Sequence, residues 1–94
     1  MGLEIVWSKR AAKGYANILA YLDENWTKKE VQAFEKQVKE TLEKLSEYPY
    51  LLEASKKKGY RRGPINKLTI LTYQVNEKKK RLELINIRSS RQKP

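Results

Sequence analysis

The sequence predicts a two-layer α+β domain in the order β-α-α-β-β-β, with a helical hairpin packed on a small, mainly antiparallel sheet. Three observations carry this. Between Tyr15 and Leu45 the apolar residues recur at helical spacing. From Gly59 onward the chain turns to short runs of Thr, Ile, Leu, Tyr and Val, the composition of strands. One short β-branched stretch precedes both. Helices grouped ahead of a set of antiparallel strands stack on one face of the sheet. At 94 residues the chain makes one domain, residues 1–94.

The elements follow in order. Leu3 to Trp7 (LEIVW) reads as a strand, and Ser8 caps what comes next. Tyr15, Ile18, Leu19, Leu22 and Trp26 form one face of a helix running from about Lys9 to Asn25. Thr27-Lys28-Lys29-Glu30 fits a capping box, with Thr at N-cap and Glu at N3. Val31, Phe34, Val38, Leu42 and Leu45 give a second helical face, which Pro49 ends. The short joint makes the two helices a hairpin. Gly59 to Ile65 is broken by Gly63-Pro64 and serves at most as an edge strand. Asn66 to Val75 and Arg81 to Arg88 are strands joined by a hairpin over Asn76 to Lys80. In the first of these, Thr69, Leu71, Tyr73 and Val75 share the core face. Trp7 and Trp26 are expected as core anchors between sheet and helices.

Composition removes several chemistries. With no cysteine there is no disulfide, thiolate zinc site or cysteine nucleophile. With no histidine the commonest metal ligand and neutral-pH base are gone. No metal and no cofactor are expected. No stretch approaches the roughly 18 apolar residues of a membrane span, and MGLEIVWSKR has no secretory h-region. A reducing cytoplasm, away from membranes, is the expected location.

Charge says more. Lys and Arg number 21 against 11 Asp and Glu, a net +10 that attracts phosphate backbones and acidic proteins. On the helices the signs alternate, which is a solvated face. The C-terminal half differs. Lys56, Lys57, Lys58, Arg61, Arg62 and Lys67 run without an acid, and Arg88, Arg91 and Lys93 end the chain the same way. The two runs are expected on adjacent strands, with Tyr60 and Tyr73 available for stacking or hydrogen bonding. The three consecutive lysines read equally as a solvated loop. Tyr73 reads as core before it reads as catalytic. Arg61, Arg62, Arg88 and Arg91 with Tyr73 suit a metal-independent nuclease, and they suit binding alone equally well.

The arrangement resembles the RelE/ParE superfamily of toxins from bacterial type II toxin–antitoxin modules. The likeness covers nearly the whole chain. It rests on IVWSKRAAKGYANILAYL, on KLTILTYQVN and on the ending IRSSRQKP, which is similar to the R-Q/N-x-P terminus common in ParE-like members. The resemblance implies a cognate antitoxin partner, growth arrest by the unmasked toxin, and a part in plasmid stabilisation. RelE-like members cut messenger RNA on the ribosome, whereas ParE-like members poison DNA gyrase. Tyr60-Arg61 falls where RelE-like toxins carry a basic residue. Ile70 stands where they place an arginine, and Ser90 where they place another, with Arg88 and Arg91 beside it. No residue follows Pro94 to supply their C-terminal tyrosine or helix. The ParE-like reading is therefore preferred, with gyrase as target and Arg61, Arg62, Lys67, Arg88, Ser90 and Arg91 as the target-binding set. The alternative is a ribosome-dependent endoribonuclease using Arg61, Arg88, Arg91 and Tyr73 on mRNA.

Overall fold

The computed structural model describes residues 2–55 and 59–90. Lys56 to Lys58 and Arg91 to Pro94, on which part of the expected basic rim falls, lie outside the described residues. The order is β1 (Glu4–Trp7), α1 (Lys9–Asn25), α2 (Lys28–Glu47), β2 (Arg61–Asn66), β3 (Thr69–Asn76) and β4 (Arg81–Ser89). This is the expected α+β succession.

Local chemistry sets the helix ends. The Ser8 hydroxyl accepts from the Ala11 amide at 3.0 Å and donates to the Ile85 carbonyl at 3.0 Å. One side chain thus caps α1 and ties it to β4. Thr27 and Glu30 form the full capping box at the start of α2. At the far end of α2, the Ser46 hydroxyl donates to the Leu3 carbonyl at 2.8 Å and fixes the approach to β1.

The sheet order is β1-β4-β3-β2. β1 pairs with β4 in parallel, and the other pairs are antiparallel. The last strand therefore lies inside the sheet, and β2 takes an edge as the Gly-Pro break requires. The two expected basic runs are not on adjacent strands. β3 lies between β2 and β4, because both long hairpins fold onto β3.

Both helices cover one face. Ala11, Ile18 and Leu22 of α1 join Val31, Phe34, Val38, Leu42 and Leu45 of α2 over Ile65, Leu71, Tyr73, Leu82, Leu84 and Ile87. The strands alternate as a half-buried sheet should. In β3, Thr69, Leu71 and Tyr73 are buried, while Ile70, Thr72 and Gln74 face the helix-free side. A bulge in β4 opposite Thr72 and Tyr73 inserts one residue. It changes the alternation so that Leu82, Leu84 and Ile87 all reach the core. α1 approaches β4 closely, at a glycine. A Cβ at Gly14 would stand 2.0 Å from the Ile87 carbonyl oxygen.

The aromatic core expectation needs one correction. Trp26 packs on the core, but Trp7 is 37% exposed. It ends a four-residue edge strand, so only one side of its ring is covered, by Tyr15 at 5.4 Å between centroids.

Thr69 is fully buried, and its hydroxyl has no hydrogen-bond partner. An unmade buried bond costs roughly 1–3 kcal/mol. Thr69→Val keeps the shape and removes the hydroxyl. It is expected to raise stability by about 1 kcal/mol, read as a higher urea midpoint. A lowered midpoint would mean that the hydroxyl has a partner in solution.

Candidate functional site

The residues singled out from the sequence divide between the two faces of the sheet. Arg61 pairs in register with Tyr73, and both point to the helix side. Arg62 is one position on, so it points to the opposite, helix-free side.

On the helix side, Arg61 is engaged by the segment that follows α2. Its guanidinium donates to the Leu52 carbonyl at 2.7 Å and lies 4.8 Å from the centre of the Tyr50 ring. The Tyr50 hydroxyl donates to the Glu77 carboxylate in the β3–β4 turn. That bond, above all, raises the Tyr50 phenol above its ordinary pKa. Ala54 bridges Arg61, and the Glu53 carbonyl accepts from the Arg62 amide at 3.1 Å. Residues 49–55 thus strap the outer edge of β2 and cover the corner where Arg61 sits. Sequence reasoning missed this strap, because a proline-led stretch carries no periodicity. Leu52 fits against Gly63, where any side chain would crowd it.

Tyr73 lies beneath the strap. It is 0% exposed and donates its hydroxyl proton to the Pro49 carbonyl at 2.6 Å. Burial pushes its phenol above the ordinary value of 10.0, and a Leu52 backbone hydrogen bond and the Arg61 charge oppose this in part. At neutral pH the group is a proton donor already committed to the backbone. The raised value has a consequence for stability. The unfolded chain releases this proton near pH 10.0, while the folded chain holds it to higher pH. The stabilisation is therefore complete below pH 10 and is lost as pH rises through the folded value. Tyr73→Phe is expected to cost about 1–2 kcal/mol at neutral pH, and the deficit should shrink above pH 10. Urea midpoints at pH 7 and pH 11 check both parts, and a deficit that stays constant with pH would contradict the assignment.

The helix-free face carries the rest of the set. The register runs Pro64–Ile70–Arg88 in one row and Arg62–Thr72–Asn86 in the next. Arg62 is exposed and Arg88 half-buried, two strands apart, roughly 10 Å across the sheet. Lys67 sits exposed in the β2–β3 turn. Ser90 donates its hydroxyl to the Lys67 carbonyl at 2.8 Å and its amide to the Leu68 carbonyl, which fixes the end of β4 against that turn. Glu83, which accepts from the Gln74 amide at 2.7 Å, shares this face, and Glu53 lines a cleft there with Arg62 and Lys67. No signal in the linear sequence placed it there. Arg91, also in the predicted set, lies outside the described residues. Among the described residues no three His, Cys, Asp or Glu side chains gather as a metal site, and no helix is long and apolar enough to cross a membrane.

A helical hairpin on one face of a β1-β4-β3-β2 sheet is the fold of the RelE/ParE toxins. The model of the ParE toxin of the type II toxin–antitoxin system parDE matches residues 5–94, and the chain belongs to that family. The fold recurs in the toxin–antitoxin complex RelBE2 of Mycobacterium tuberculosis, at 11% identity and a TM-score of 0.62, over 95% of this chain and 99% of that one. It recurs in YafQ of E. coli BL21(DE3), at 19% identity and a TM-score of 0.58, over 94% and 93% of the two chains. It also recurs in the conserved hypothetical protein HP0892 of Helicobacter pylori, at 21% identity and a TM-score of 0.55, over 94% of each. Among curated proteins no sequence matches the chain.

Proposed function

We propose that this type II toxin arrests growth by binding and poisoning DNA gyrase, with no chemistry of its own. One observation carries the choice of binding over catalysis. The tyrosine that a nuclease reading requires is fully buried, bonded to Pro49 and on the opposite face from Arg62 and Arg88. Membership of the ParE family supports gyrase as the target. A cognate antitoxin holds the toxin in check. The partner suited to a +10 chain is acidic and partly disordered, folding as it covers the helix hairpin and the basic rim. Retention of a plasmid that carries both is the biological result.

The ribonuclease alternative has one observation in its favour. Glu53 lies in one cleft with Arg62 and Lys67, which puts a carboxylate and two cations within one site.

Pulse labelling separates the two. With the chain under a tight inducible promoter, thymidine incorporation is expected to fall within minutes while methionine incorporation continues. An earlier fall in methionine incorporation would move the target to translation and favour the ribonuclease reading.

A further inference from the structure

The turn between β2 and β3 carries an exposed cation on a backbone that does not support itself. Asn66 pairs with Thr69, so the loop is the two residues Lys67 and Leu68. Two-residue hairpin loops match the twist of their strands best when a loop residue takes a positive φ. Neither Lys67 nor Leu68 does. The support comes from outside the turn. On the α2 side, the Asn66 carboxamide accepts from the Leu68 amide at 2.8 Å and donates to the Gln37 side chain at 3.1 Å. On the β4 side, Ser90 donates its hydroxyl to the Lys67 carbonyl at 2.8 Å and its amide to the Leu68 carbonyl at 2.8 Å.

Resting on the reading that the helix-free face binds the target, we propose that Ser90 is a positioning residue. It does not touch the target and instead holds the turn so that Lys67 can. Donor arithmetic carries the first half. A serine has two protons to give, one on the hydroxyl and one on the amide. Both are committed to the turn. Ser90 therefore has no proton left for an acceptor on a partner, which is the contact a basic surface makes. Lys67 is the opposite case. It is exposed, makes no ion pair among the described residues, and lines the same cleft as Ser90. With the carbonyls of Lys67 and Leu68 both held, the peptide planes beneath the lysine are fixed. Binding then has less of the backbone to order.

A double-mutant cycle tests this, because a residue that acts through Lys67 loses its effect once Lys67 is gone. The readout is the toxin level at which growth rate halves, measured by immunoblot after graded induction. Lys67→Ala is expected to raise that level at least about tenfold. Ser90→Ala should raise it by about twofold to tenfold. Ser90→Thr keeps the hydroxyl and should restore the original level. On the Lys67→Ala background, adding Ser90→Ala should change the level less than about twofold. Equal factors on the two backgrounds would overturn the proposal, since a direct contact or a loss of stability at Ser90 acts whatever stands at position 67. Full toxicity of Ser90→Ala beside a weakened Lys67→Ala would overturn it too, and both results leave the reading of the face intact. Full toxicity of Lys67→Ala would also overturn it. If the Arg62→Ala, Arg88→Ala variant were then fully toxic as well, the reading of the face would fall separately.

Discussion

Gly14→Leu is expected to cost at least about 3 kcal/mol, leaving the domain close to unfolded. The position lies in the middle of α1, where glycine is ordinarily a weak choice. It is explained by what the helix crosses. A Cβ there would meet the Ile87 carbonyl oxygen at 2.0 Å and its carbon at 3.2 Å. Those are backbone atoms of the buried strand β4, and they cannot swing aside as a side chain would. To admit any side chain, α1 must lift from the sheet, and Ala11, Ile18 and Leu22 rise with it. Overpacking of this kind costs roughly 1–3 kcal/mol or more, against a total stability of about 5–15 kcal/mol for a small domain. Gly14→Ala should share the loss in smaller measure, since the gain in helix propensity of about 1 kcal/mol does not offset a backbone clash. Urea denaturation followed by circular dichroism reads the effect. A leucine variant with an unchanged midpoint would show that α1 does not lie this close to β4.

Arg62→Ala combined with Arg88→Ala is expected to abolish growth arrest while the protein stays folded. Neither side chain belongs to the core cluster, so stability should change little. A hydrogen bond to a charged group is worth about 1.5–3 kcal/mol. Losing two therefore weakens target binding by roughly 3–6 kcal/mol, more than a hundredfold. Arg88→Ala with Arg91→Ala should act in the same way. Arg61→Ala should differ. Its guanidinium holds the Leu52 strap, so its loss is expected to show first as lowered stability. Colony formation on inducing plates gives the readout for toxicity. Full toxicity in the folded Arg62/Arg88 variant would remove the helix-free face from the mechanism.

Much of this architecture could be read from local chemistry. The helices follow from apolar spacing, and their boundaries from Ser8, Thr27, Glu30 and Pro49. The core face of β3, with Tyr73 inside, follows from alternation alone. What could not be read depends on partners distant in sequence. Nothing within Glu4–Trp7 says that it pairs in parallel with a strand about 77 positions later, as Glu4 does with Arg81. The exposure of Trp7 follows from that edge placement and from nothing in its own neighbourhood. The candidate site was legible as a set of residue types, but its division into two faces was not. One residue of register sends Arg61 to the strap and Arg62 to the open side, and the Gly63-Pro64 break hid the alternation that decides it. Glu53 entered the cleft through a strap whose course is set by Tyr73 and Arg61, not by its own sequence.

The position of β4 inside the sheet bears on how the cell makes this protein. The first strand and the first helix both rest on a strand that is synthesised after every other described element. Until it emerges, the nascent chain holds a helical hairpin with an uncovered apolar face and two strands without their central neighbour. Arg88 arrives with it. A ribosome that stalls, or a message that is cut short, thus releases a fragment with no core and no complete basic face. The fold, and with it the surface that carries Arg88, therefore closes only once β4 has emerged.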